Sequence, residues 1–490
     1  MLSQRAAASA GFDTATAASV WAAALGYIAP RSLEPLSIPQ MSIWGLQGLT
    51  ALDPDLNAAL QEGQIRLYGP DQLLIAIPAP AADDAKAWGA AAAAVAAAGF
   101  AASPALRQAG TQGLISSFFD ELFNHFDPYS RYEPPLQAAE DQLMITGIAG
   151  AGLTLGVLGN VVIIATVAVD GPAAEAGLVP GIQVLAVNGL AAYPAGVDAL
   201  NSNLNGIPGS PIMLHLADPT TPGATSDVTL VRAYVPAQTV SAMPLGTATI
   251  GLRISGFNRG TSDQLSAALV SALANQQKAT GMVIDLRGNR GGVLRQAVLV
   301  ADSLLASGTI VTADGRDPDA DQSFGAVGAD LTGGLRLVVL VDGQTASAAE
   351  VLAAALADNH RAVVVGSETL GKGLVQTLTR LPDGGELYVT WSRVLAPRGW
   401  PLQALGVMPQ VCTSLGPDAL TTQLNALNAG QNLLGASLAA SRAARAPIAV
   451  DQLLSMRNAC PAAIGGNLDL TAANFLLAHP AAYQAALLPQ

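Results

Sequence analysis

At 490 residues the chain is too long for one ordinary core and should divide into three or four domains. A composition of 51% apolar and 12% charged residues, with alanine supplying much of the apolar share, excludes a disordered or fibrous protein. The net charge of -13, spread without acidic blocks, argues against nucleic-acid or anionic-membrane partners, which call for clustered Lys and Arg, and favours neutral or weakly cationic substrates.

Met1 to Arg5 open the chain, but Asp13 interrupts what would be the apolar part of a secretion signal. No intact signal is read; it has been removed or was never there. Residues 1–136 then read as a mostly helical domain, with apolar helical spacing over Thr14 to Tyr27, Met41 to Leu60, Ala85 to Ala98 and Gly110 to Phe126. One hairpin interrupts them, Gln64 to Tyr68 and Gln72 to Ile77 about the turn Gly69-Pro70-Asp71. The longest uncharged apolar run, Gly89 to Ala102, falls short of the roughly 20 residues that cross a bilayer, and is read as a buried helix.

Residues 137–237 change to short strands separated by Gly and Pro: Gly152 to Val157, Val161 to Val167, Ile182 to Val187, Ile212 to Leu216 and Val228 to Val231. Over 238–411 apolar strands alternate with amphipathic helices, the pattern of an α/β layer. The strands are Ile250 to Ser255, Met282 to Leu286, Leu337 to Val341 and Ala362 to Val365; the helices are Thr261 to Gln276, Leu294 to Ser307 and Ala348 to Asp358. Residues 412–490 return to Ala- and Leu-rich helices and carry both cysteines, Cys412 and Cys460. One disulfide or two buried thiols are equally open readings of that pair.

Chemistry concentrates where glycine-bearing turns follow the α/β strands. The turn Asp285 to Gly292 lets a ligand approach backbone closely, but it lacks the glycine spacing of a phosphate cradle. The turn Leu340 to Glu350 runs from a strand through small residues into a helix, so Ser347 lies at a helix N-terminus, where free N–H groups stabilise a developing oxyanion. Ser347 and Glu350 also spell a capping box, which is the plainer reading. A serine hydroxyl needs a base, and the histidines serve poorly: His360 lies at the far end of the serine's own helix, roughly 20 Å away. Lysine is more informative. The chain uses arginine 20 times and lysine three times, at Lys86, Lys278 and Lys372, and Lys372 sits between two glycines after the strand Ala362 to Val365. A buried lysine can lose its proton, whereas arginine effectively cannot. A solvated turn lysine is the plainer alternative.

Thr345-Ala346-Ser347-Ala348-Ala349-Glu350, Thr369-Leu370-Gly371-Lys372-Gly373 and Gln376 resemble the Ser-Lys-Gln constellation of the tail-specific (C-terminal processing) serine peptidases. Phe126 to Tyr132, Asp285 to Gly292, Gly399 and Gly406 to Pro409 resemble further motifs of that family in the same order, and the resemblance covers about residues 110–411. Gly150 to Leu155 and Gly171 to Leu178 resemble the carboxylate loop and following helix of a PDZ module, with Gly181-Ile182-Gln183 and Tyr129 departing from the family pattern. The implied fold is multi-domain α+β: a helical N-terminal domain, a PDZ-like domain, a layered catalytic domain of the crotonase/ClpP type and a helical C-terminal extension.

The resemblance implies that Ser347 is the nucleophile, that neutral Lys372 is its base and that Gln376 orients the lysine. Burial among Gly, Ala and Leu would favour the neutral amine. An extended strand would hold Lys372 and Gln376 about 13 Å apart, so the segment has to bend. Oxyanion donors are expected from the N–H of Ala348 and of Gly291 or Gly292, and a terminal carboxylate is expected at Gly150, Gly152 and Leu153. Asp358 matches a family acidic position but reads equally as a surface aspartate at a helix end. No metal or other cofactor is expected. Protein or peptide substrates with apolar C-terminal tails, an exported or periplasmic location and homo-oligomers fit the family. Two rivals remain, a peptide-binding protein without catalysis and an acyl-CoA enzyme of the crotonase type.

Overall fold

A computed structural model describes residues 11–139, 149–168, 171–218, 221 and 223–489; Met1 to Arg5, which open the chain, lie outside them. The chain divides into two compact units, and the division is not sequential. The first takes residues 1–141, 313–322 and 374–394, and the second takes the rest. Two stretches of the expected α/β domain thus belong to the N-terminal unit.

In the first unit, Asp13 and Asp84 cap helices Thr14–Arg31 and Ala85–Ala102 by accepting the N–H of Thr16 and Ala87. The second of these helices has 18 residues, more than the uncharged run Gly89 to Ala102 within it, and is apolar enough to be a candidate bilayer span. Its Trp88, Ala92, Ala93, Val95 and Ala96 are nevertheless buried in the unit's core. A Cβ at Gly89 would come within 2.5 Å of the Ala22 nitrogen, so glycine is what lets these two helices approach. Helix Pro104–Phe123 is broken by Gly110, which adopts a φ of 69°.

The expected helix over Met41 to Leu60 is not one element. It is replaced by helices Ile38–Leu46 and Gly48–Leu52 and by strand Asn57–Gln61, which pairs antiparallel with Gln64–Tyr68. Pro54 cannot continue a helix, and Asp53 folds back to accept the Asp55 N–H at 3.1 Å. Strand Leu73–Pro78 completes a three-stranded sheet.

The second unit begins with a β-rich segment. Strands Leu153–Leu158 and Val161–Val167 pair with each other, and Thr225–Val231, Pro211–Ala217, Val184–Val187 and Leu190–Ala191 form a four-stranded sheet. Leu153, Leu155, Ile164, Leu200 and Leu214 meet in its core.

A six-stranded sheet follows, in the order Val240–Met243, Thr249–Ile254, Gly281–Asp285, Arg336–Val341, Ala362–Gly366, Val411–Cys412, parallel except at its first pair. Strands Gly281–Asp285 and Ala362–Gly366 are buried throughout, as apolar runs without polar alternation should be in a parallel sheet covered on both faces. The C-terminal helices cover one face: Leu424, Leu476, Leu477 and Tyr483 pack on Val338, Leu340, Val363 and Val365. Cys412 and Cys460 are joined by a disulfide. Parallel strands all end on one edge of the sheet, so the turns after Asp285, Val341 and Gly366 emerge side by side.

Candidate active site

The turn that follows Val341 is built by its own polar groups. Asp342 accepts the N–H of Gln344 and Thr345, and also that of Gly288 in the neighbouring turn at 3.0 Å, while the Thr345 hydroxyl donates to the Leu286 carbonyl. The chain then enters helix Ala348–Asp358 through Ser347, whose φ of 56° and ψ of -121° are strained for any residue with a Cβ. That strain lifts the serine out of both the strand and the helix.

Ser347 and Glu350 stand three apart as a capping box requires, but the pair does more than cap. Glu350 is fully buried. Its Oε2 accepts the backbone N–H of Ser347 at 2.7 Å and that of Lys372 at 2.9 Å. Its Oε1 accepts the N–H of Gly371 at 2.7 Å and the Thr369 hydroxyl at 2.5 Å. Burial pushes this carboxyl up from its ordinary value, against the pull of the four donors. The structure therefore brings the Ser347 and Lys372 turns together on one side chain whose place in the sequence spells a helix cap. Their only advance signal was the capping-box spelling itself.

Gly291 packs against the same turn: a Cβ there would lie 2.8 Å from the Ser347 Cβ and from the Ala346 carbonyl oxygen. Its φ of 94° is likewise one that glycine tolerates. Its N–H, one of the expected oxyanion donors, is already committed to Asn289 Oδ1 at 2.8 Å. Asn289 is fully buried, and its side-chain amide also donates to the Ile254 carbonyl while its backbone carbonyl accepts the Ala346 N–H. Among the described residues the N–H groups of Gly292 and Ala348 have no protein acceptor, which leaves those two as the candidate donors.

The lysine turn is braced by residues of the C-terminal extension. Arg457 donates to the carbonyls of Thr369, Ala404 and Leu405 at 3.0, 3.0 and 2.9 Å. The Ala463 carbonyl accepts the Gly343 N–H and the Ser367 hydroxyl, and the Cys460 carbonyl accepts the Glu368 N–H. Arg287 reaches from the Asp285 turn to Asp469 at 2.9 Å. All three turns are thus tied to residues 457–469. Glu368 is buried near Arg457 and Arg442, its Oε1 makes no hydrogen bond among the described residues, and burial pushes its carboxyl up to about 8.

Asp358 is not a surface residue. Its carboxylate is buried, pairs with Arg442 at 3.1 Å and accepts the Trp400 indole N–H at 2.7 Å, so it anchors the far end of the serine helix. Gln376 belongs to the first unit, on strand Leu374–Arg380 where the register shifts between Val375 and Gln376. There its Nε2 donates to Thr390 Oγ1 at 3.1 Å, and the Thr390 hydroxyl donates to Asp127 Oδ1 at 2.7 Å. Asp127 also accepts the N–H of Tyr129 and Ser130 and the Ser130 hydroxyl, which explains the Asp-Pro-Tyr-Ser spelling of that turn. A carboxylate can only accept, so the single Thr390 hydrogen goes to Asp127 and its oxygen must accept from the Gln376 amide nitrogen. No group of three His, Cys, Asp or Glu with metal-binding geometry occurs among the described residues.

In the β-rich segment, Ala149–Gly150 pairs with Ala233–Tyr234, and Gly152 adopts a φ of 74° just before strand Leu153–Leu158. Gly150, Gly152 and Leu153 line a cavity of about 990 Å³ shared with Gln238, Gln264 and Ala267.

Comparison with known proteins locates the same region. Residues 249–413 match the profile of Peptidase family S41. The Carboxy-terminal-processing protease of Bartonella bacilliformis is 31% identical over 304 residues, 61% of this chain and 69% of that protein. The Carboxyl-terminal-processing protease of Synechocystis sp. is 33% identical over 291 residues, 58% of this chain and 67% of that one. Among solved structures, the Photosystem II D1 C-terminal processing protease aligns over 78% of this chain and 97% of its own at 26% identity, with a TM-score of 0.38.

Proposed function

The chain belongs to peptidase family S41, a serine-type peptidase akin to the carboxyl-terminal-processing proteases, and we propose that Ser347 is its nucleophile, Lys372 its general base and Gln376 the residue that orients the base. The observation that carries this reading is the shared carboxylate: the nucleophile and base candidates hang from one buried Glu350 oxygen, and the serine sits in a strained turn at a helix N-terminus. Neutral Lys372 takes the proton from Ser347 Oγ as that oxygen bonds to a peptide carbonyl carbon. The resulting oxyanion is held by the N–H groups of Gly292 and Ala348. The peptide C–N bond then breaks, the leaving amine takes the proton from the lysine ammonium, and an ester remains on Ser347. Water, deprotonated by the same lysine, hydrolyses the ester and restores the serine.

The proposed organisation is a helical domain over 1–136, a PDZ-like module over 137–237, a layered crotonase/ClpP-type catalytic domain over 238–411 and a helical extension over 412–490. In the module, the Gly150, Gly152 and Leu153 loop receives the terminal carboxylate of a substrate with an apolar tail, and the cavity beside it supports that role. The disulfide supports an exported, oxidising location.

Digestion of an unfolded model protein by wild type, Ser347→Ala, Lys372→Ala and Lys372→Arg tests the dyad. All three variants should be folded and inactive, since guanidinium stays protonated; cleavage by either alanine variant removes the dyad. Amidating the substrate's C-terminus should lower cleavage efficiency by about one to two orders of magnitude, the worth of a charge-assisted contact. Equal rates for acid and amide would mean that the module does not read chain ends.

A further inference from the structure

Strand Leu153–Leu158 has one edge paired with Val161–Val167, and among the described residues no strand pairs with the other. An open strand edge offers rows of N–H and C=O groups to any extended chain. Here both groups of one residue are already taken. Asn201, on helix Val197–Leu204, accepts the Leu155 N–H on its Oδ1 at 2.8 Å and donates from Nδ2 to the Leu155 carbonyl at 3.1 Å. A side-chain amide that gives and takes one hydrogen bond with the same residue reproduces what a paired peptide does in a ladder.

The location of this contact gives it meaning. Strand groups repeat to one side every second residue, so Leu153 and Leu155 face the same edge. A peptide whose terminal carboxylate lay at the Gly150 to Leu153 loop, running antiparallel to the strand, would set the residue third from its end opposite Leu155. Beneath the contact, Leu155, Leu200 and Leu204 are buried together in the core.

We propose that Asn201 is a built-in occupant of the peptide groove, a plug whose amide must leave Leu155 before a substrate's C-terminal segment can add to the strand. The proposal rests on the reading of this module as one that captures chain ends. Its consequence is a threshold: an incoming tail trades its bonds for ones already made, so binding is weaker than the open edge would allow. Tails that make further contacts along the strand gain enough to displace the plug, and others do not.

The test measures binding of a fluorescein-labelled, alanine-tailed peptide with a free carboxylate, and of its amidated twin, to full-length protein in a Ser347→Ala background that prevents cleavage. Adding Asn201→Ala should tighten binding of the free acid about tenfold, the worth of two hydrogen bonds no longer broken. Hydrogen exchange supplies a readout independent of affinity: the Leu155 amide should be protected in the free protein, unprotected with Asn201→Ala, and protected again when peptide is added. Unchanged or weaker binding of the free acid, or a Leu155 amide indifferent to Asn201→Ala, overturns the plug while preference for acid over amide keeps the chain-end reading. If neither peptide binds with or without Asn201, both fall.

Discussion

The backbone N–H groups of Ser347 and Lys372 converge on the same atom, Glu350 Oε2. Two turns from different strands are therefore held in register by a side chain that need not touch a substrate. The geometry of the proposed dyad is set one layer below it.

Glu350→Gln keeps the volume but cannot present acceptors to all four donors. At least one buried N–H or the Thr369 hydroxyl loses its partner, and the turns separate by a fraction of an ångström. Since small misplacements cost large factors in rate, kcat should fall by about two orders of magnitude with KM little changed. Steady-state kinetics on a peptide substrate checks this, and a wild-type kcat would show that the clamp is dispensable.

Ser347→Gly should lose activity and gain stability. Glycine adopts a φ of 56° without steric cost, so relieving the strain should add about 1 kcal/mol. A melting temperature above that of wild type, in a dead enzyme, is the expected result; a lower one would mean that the serine side chain contributes more than its backbone strain removes.

Glu368 makes stability depend on pH in a defined direction. In the folded chain burial keeps its proton up to about 8, whereas the ordinary value is 4.5. Between these values the folded state binds a proton that the unfolded state releases. Its contribution to stability is thus complete below the lower value and is lost as pH rises toward the higher, at most about 1.4 kcal/mol per pH unit. Buried Glu350 is pushed in the same direction. Thermal melts of Glu368→Gln across this range should decline less steeply than those of wild type, and parallel curves would assign the proton elsewhere.

Thr390→Val removes the shorter of the two hydrogen bonds made by the Gln376 amide nitrogen and leaves it only the Leu374 carbonyl at 3.3 Å, so the amide is held less firmly. If Gln376 orients the base, kcat should drop about tenfold, with recovery in Thr390→Ser. An alteration in the pH profile of kcat that Thr390→Ser corrects would separate this from general loosening of the strand.

Much of this was legible in the residues. The strand-to-helix turn around Ser347 and the glycine-flanked Lys372 could be found because short-range patterns specify them. What those patterns could not convey is long-range. Glu350 reads as a helix cap until the Lys372 turn arrives above it, and Asp358 reads as solvent-exposed until Arg442 and Trp400 close over it. Gly291 and Gly292 look interchangeable in sequence, and only the buried Asn289 Oδ1 distinguishes the committed N–H from the open one. The helical spacing of Met41 to Leu60 was overridden by Pro54 and by pairing of Asn57–Gln61 with its neighbour. Asn201 gives no local signal at all, since a polar residue on a short helix has no reason to be singled out before its partner strand is in place.

The brace formed by residues 457–469 also sets an order of events in the life of the chain. The ribosome makes the Ser347 and Lys372 turns first, and their supports, Arg457, Cys460 and Ala463, only afterwards. A nascent polypeptide exposing the motif without those later residues holds its turns unsupported. Proteolytic competence would then arrive late in synthesis, once the last helices have closed on the sheet.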